Sequence, residues 1–116
     1  MAMVRCVTEM GMGVDVHGLA FTKAATRAVF DAIHHSSLGF QRMLGKTADD
    51  MTVQVTIGVS QPDKVDTAAV LATLPHGNGR GTCTAVQGGL EIASAEGNDG
   101  MLIANAVIFV LFDDGK

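Results

Sequence analysis

Tryptophan and tyrosine are absent from the chain, and its 116 residues include only two cysteines and two prolines. Charge is scarce as well: 17% of residues are charged, with a net of -4. Lys and Arg are scattered, so no basic stripe with stacking aromatics is available, and DNA and RNA are not expected partners. Cys6 and Cys83 are too few and too far apart for a zinc cluster; each sits in an apolar strand-like segment, where a reduced, buried thiol is the ordinary state. No run of 18 apolar residues is present to span a membrane. Met1-Ala2-Met3-Val4-Arg5 lacks the apolar stretch of a signal peptide, which makes a cytoplasmic location the expectation.

What is present is apolar: 47% of residues are hydrophobic and the mean hydropathy is +0.30. This length suits one domain, residues 1–116, with a single core. With so little charged surface, part of the apolar surface is expected to be buried against copies of the same chain.

Hydrophobic periodicity gives the element order. Val4 to Glu9 is strand-like by its Val and Thr content. Phe21, Ala24, Ala25, Ala28, Val29, Ala32 and Ile33 recur at three and four residues and predict an amphipathic helix, with Arg27 and Asp31 at a favourable helical spacing. Met51 to Ile57 alternates strictly, as a half-buried strand does. Val65 to Ala72 predicts a shorter helix that follows a Ser60-Gln61-Pro62-Asp63 turn and stops at Pro75. Thr82 to Gln87 and Leu90 to Ala93 are strand pieces split by Gly88-Gly89, where a bulge or a close backbone approach is expected. Met101 to Phe112 is apolar at nearly every position, which implies burial on both faces, with Asn105 as a buried polar exception.

The expected fold class is therefore α/β (α+β): one small domain with a mixed four- to five-stranded sheet and two helices on one face. Such a sheet leaves its second face bare. Self-association is the economical way to cover it, and ligand sites then form in the clefts between subunits.

The segment richest in chemistry is Gly11-Met12-Gly13-Val14-Asp15-Val16-His17-Gly18, read as a glycine loop between the first strand and the first helix. Glycine lets a ligand approach the backbone. Asp15 and His17 lie two residues apart and in an extended chain point to the same side, so they are candidates for acid/base work, with Glu9 as an added carboxylate. The structural alternative is that Asp15 bonds loop amides and His17 caps the helix. Metal binding needs three or four ligands and this pair supplies two, with His34, His35 or His76 of a neighbouring subunit as possible additions; no metal and no cofactor is assigned. Tandem histidines at a helix end also complement the helix dipole. A dinucleotide fingerprint fails because its third glycine falls at Val16. Backbone amides of a glycine turn opening into a helix can still cradle an anion, so Gly11, Gly13 and Gly18 are candidate ligand-binding positions, together with Asn105.

The Gly11-x-Gly13-x-Asp15-x-His17-Gly18 motif, the Thr22-Lys23-Ala24-Ala25 helix start and Ile103-Ala104-Asn105-Ala106 resemble a small family of uncharacterised bacterial and plant proteins with a Gly-x-Gly-x-Asp-x-His-Gly signature. That resemblance names no reaction. In element order and length the chain is also similar to the Bacillus-type chorismate mutase fold and the small YjgF-like proteins, a similarity that implies a trimer with clefts between subunits but transfers no function. Arg5, Arg27, Arg42 and Arg80 do not fall where a mutase grips its dicarboxylate.

Two functional classes follow. One is an enzyme with intersubunit sites, where Asp15, His17 and Glu9 move protons on a small polar or anionic metabolite as a hydrolase, lyase or isomerase. The other is a non-catalytic small-molecule-binding or assembly protein whose glycine motif is structural.

Overall fold

Alternating side-chain placement on two long strands organises the molecule. The computed structural model describes residues 3–16, 19–35, 51–74, 81–93 and 100–113. Strand β1 (Met3–Asp15) is followed by helix α1 (Phe21–His35), β2 (Met51–Val59), a single 3-10 turn (Pro62–Lys64), the short helix α2 (Thr67–Ala72), β3 (Thr82–Gln87), β4 (Leu90–Ala93) and β5 (Gly100–Asp113). The sheet order is β1-β5-β2-β3, with β4 also pairing with β5; only β2 and β3 are parallel. The expected small α+β domain with a mixed sheet and two helices is what forms.

Central strand β5 sets the two faces. Leu102, Ala104, Ala106, Ile108 and Val110 are buried with Val53, Val55, Ile57 and Val59 of β2; helices α1 and α2 add Phe21, Ala24, Ala25, Ala28, Val29, Ala32, Ile33 and Val70 to the same core, and Leu74 joins it just past the end of α2. Both helices therefore cover one face. The 3-10 turn presents Lys64 Nζ 5.6 Å from the Phe21 ring centre, and the Thr22 hydroxyl oxygen accepts from the Asp66 amide at 2.9 Å. Asp66 in turn caps α2 by accepting from the Ala69 amide at 3.0 Å, which joins the two helix starts.

Three expectations need correction. The first strand runs past Glu9 to Asp15, so Gly11 and Gly13 lie in a strand rather than a loop. Helix α2 begins at Thr67, because Pro62–Lys64 closes a separate turn that ends in extended backbone at Val65. In the single chain β5 is buried on one face only, and Asn105 is exposed on the other. That second face carries Met10, Met12, Val14, Val16, Val86, Leu90, Ile92 and Met101, all exposed. Among the described residues no helix is long and apolar enough to cross a membrane.

The expectation at Gly88-Gly89 holds. The Gly88 amide donates to the Val59 carbonyl at 2.9 Å, and Gly89 has φ +62° with Ile103 backbone where a Cβ would stand. A chain leaving β3 can thus bend around the end of β2 and pair with β5.

Candidate functional site

At Gly11 and Gly13, strand β1 meets the backbone of helix α1 directly. A Cβ built on Gly11 falls 2.6 Å from the Ala28 carbonyl oxygen and 2.8 Å from Ala32 Cα, and one on Gly13 meets the backbone of Ala24 and Ala28. The register has a simple basis: two strand residues advance about 6.6 Å and four helical residues about 6 Å, so every second strand position meets every fourth helix position. Gly11 and Gly13 against Ala24, Ala28 and Ala32 is that match, written in the smallest residues. Glycine at Gly11 and Gly13 is what this close approach to a helix requires.

The same register carries Asp15 to the start of α1. Its side chain is buried, Oδ2 accepts from the Ala20 amide at 2.9 Å, and Oδ1 lies 3.8 Å from both Lys23 Nζ and Arg27 Nη1. Because Ala20 accepts the first helical hydrogen bond from Ala24, its own amide has no helical partner, and the carboxylate supplies one. No acidic residue occupies the first turn of α1, so Asp15 is also the anion that complements the positive end of the helix. The protein's own carboxylate thus stands where an anionic guest was expected. Lys23 and Arg27 are about half exposed, so their pairing with Asp15 is partly screened by water.

Arg27 and Asp31 make a further contact that spacing alone does not reveal. Arg27 Nη1 donates to the Val14 carbonyl at 2.7 Å, and the Met12 amide donates to Asp31 Oδ2 at 3.0 Å. Among the described residues β1 pairs only with β5, so these bonds occupy backbone groups along its other edge. Edge groups engaged in this way are withdrawn from pairing with a further strand.

Of the other candidates, those among the described residues are not brought together. Glu9 is six residues before Asp15 on an extended strand, roughly 20 Å away, so the two carboxylates form no cluster. Asn105 pairs across from Met12 and faces away from α1, on the side opposite Gly11 and Gly13. His17, Gly18 and His76 lie outside the described residues. His34 stacks on Phe30 with ring centres 3.9 Å apart, and its Nδ1 is 2.9 Å from the Phe30 carbonyl. Among the described residues no three His, Cys, Asp or Glu side chains converge as a metal site would require. At the entry to α1, Leu19 has φ +49°, a left-handed conformation unusual for a branched side chain.

A second polar group lies at the ends of β2 and β3. Glu91 Oε1 accepts from Ser60 Oγ at 2.5 Å and from Gln61 Nε2 at 3.0 Å, while Gln87 Nε2 donates to the Ser60 carbonyl at 2.7 Å. Hydrogen bonds from Ser60 and then Gln61 hold the Glu91 carboxyl below its ordinary value of 4.5, with a smaller contribution from Lys64. A depressed carboxyl stabilises the fold above its unfolded pKa, and that contribution disappears as pH falls through the folded value. Glu91→Gln is therefore expected to shrink the drop in melting temperature on acidification below pH 4.5, compared with the parent. Equal pH profiles for the two proteins would contradict this role. Burial pushes the half-buried Cys83 thiol up, away from nucleophilic character.

On the open face, Val14, Val16, Leu90, Ile92, Met101 and Ile103 surround a depression of about 180 Å³ lined by apolar atoms. It suits an apolar group rather than a charged metabolite.

A family model described as a conserved hypothetical protein matches residues 5–110. Among solved structures, the chain is similar to an FtsZ-like protein of unknown function from Nostoc punctiforme PCC 73102, with 39% identity, 98% of this chain and 99% of that one covered, and a TM-score of 0.81. The bifunctional IspDF of Campylobacter jejuni aligns at 12% identity over 93% of this chain and 43% of its own, with a TM-score of 0.31. No curated protein matches.

Proposed function

The chain belongs to the conserved hypothetical family Lin0512_fam, and from the geometry of its strand–helix contact and its open sheet face we propose that it is a non-catalytic domain that assembles with copies of itself, its Gly11-x-Gly13-x-Asp15 segment serving as a clasp between β1 and α1. The carrying observation is that Gly11 and Gly13 face helix backbone while both carboxylate oxygens of Asp15 contact α1. A general base needs a free oxygen within reach of its substrate. Asp15 is 3% exposed and engaged at both oxygens, and Glu9 stands far along the strand, which weighs against acid/base chemistry by this pair.

Assembly is supported by the apolar open face, which the single chain leaves in contact with water. Sedimentation equilibrium of the unmodified protein is expected to give a multiple of 12.0 kDa at micromolar concentration. A mass of 12.0 kDa persisting to about 100 µM, weaker than most specific self-association, would overturn the proposal.

A further inference from the structure

We infer that the occupant of the open sheet face is a second copy of this chain, seated face to face rather than along the edge of β1; this rests on the assembly reading above. Among the described residues, eight of the nine exposed large hydrophobic side chains lie on that face, Phe30 on α1 being the exception. At roughly 60–120 Å² of apolar area for each large aliphatic side chain, eight that are about half exposed present about 250–500 Å². The half-buried Ile103, Val107 and Phe109 extend the same surface. A standard interface takes about 800 Å² from each partner, somewhat over half of it apolar, so the face supplies the apolar share of one such interface.

The polar remainder is present too. Gln54, Thr56, Thr82, Thr84 and Asn105 stand on the same side of β2, β3 and β5, at positions that alternate with the buried ones. No Lys, Arg, Asp or Glu is among the residues that β1 from Met10 onward, β4 or β5 up to Phe109 directs to this face, so two copies can approach without burying a charge. Met10, Met12 and Met101 are flexible enough to adapt to an irregular partner, and the depression of about 180 Å³ beside Val14 and Leu90 gives room for such a side chain. Edge pairing along β1 is disfavoured because Asp31 and Arg27 hold the Met12 amide and the Val14 carbonyl.

The test is sedimentation equilibrium on the parent and three single variants, with circular dichroism to follow folding. Met12 is 55% exposed and Ile92 51% exposed in the single chain, so Met12→Glu and Ile92→Glu leave its core intact. Each is expected to raise the dissociation constant at least about a hundredfold by placing a charge in the interface, yielding a 12.0 kDa species. Phe30→Glu is expected to keep the parent's mass. As a measurement that needs no variant, peroxide oxidation of Met10, Met12 and Met101 in the parent should slow at protein concentrations where it is assembled. An assembled parent whose mass survives both Met12→Glu and Ile92→Glu, with these methionines oxidised at unchanged rates, overturns the face assignment and leaves the assembly reading standing. A monomeric parent overturns both.

Discussion

Gly13→Ala is expected to lower the melting temperature by about 12 °C or more. Overpacking commonly costs about 1–3 kcal/mol, and the upper end applies where backbone rather than a flexible side chain must yield. A Cβ at Gly13 meets the main chain of Ala24 and Ala28, so relief requires α1 to move off β1. For a domain of this size about 3 kcal/mol corresponds to about 12 °C. Gly58→Ala is the matched comparison: its nearest heavy atoms would be 3.5 Å or more from the new Cβ, in ordinary contact, and its melting temperature should stay within about 4 °C of the parent's. Thermal denaturation of the two proteins side by side measures the difference. Similar melting points would mean that the close approach of strand and helix has little energetic weight.

The second large effect is expected at Asp15. Asp15→Ala removes the acceptor for the Ala20 amide, the anion at the start of α1 and the partner of Lys23 and Arg27. Loss of a cap costs about 1 kcal/mol, and breaking a fully buried ion pair about 3–5 kcal/mol. The second figure applies only in part, since Lys23 and Arg27 are half exposed and regain water when the carboxylate is gone. A loss of about 2–3 kcal/mol, or about 8–12 °C, is the expected result by thermal denaturation. If Asp15 were held ready for chemistry instead, its removal would leave stability unchanged or raise it.

The sequence made most elements legible because their periodicities are strong. Helix α1 follows from its three-and-four spacing, β2 from strict alternation, and β3 and β4 have the expected bounds. Glycine is depleted in strands, so Gly11 and Gly13 read as a loop and the strand expected from the sequence ends at Glu9. Yet Met10, Met12, Val14 and Val16 carry a period of two, the strand signal on the opposite face. The partners of those glycines, Ala24, Ala28 and Ala32, belong to the apolar stripe that predicts α1. Nothing local joins the two patterns, since the match is a distance relation between a strand and a helix.

The same limit explains Asn105 and the apolar run of β5. Hydrophobicity on both sides of a strand states that both sides prefer burial, not that one chain buries them. In the single chain Leu102, Ala104, Ala106, Ile108 and Val110 are covered and Asn105 is exposed, so one chain covers only one side of β5. The bonds from Arg27 and Asp31 to β1 were hidden for another reason. Their helical spacing suggests that they pair with each other, whereas the structure turns both toward the strand edge.

The clasp is tested most directly by the melting temperature of Asp15→Asn, which keeps the shape of the side chain and an acceptor for the Ala20 amide but removes the charge. A drop of about 4 °C, smaller than that of Asp15→Ala, is predicted, corresponding to about 1 kcal/mol. Melting at or above the parent's temperature would contradict the claim that this carboxylate holds α1 against β1.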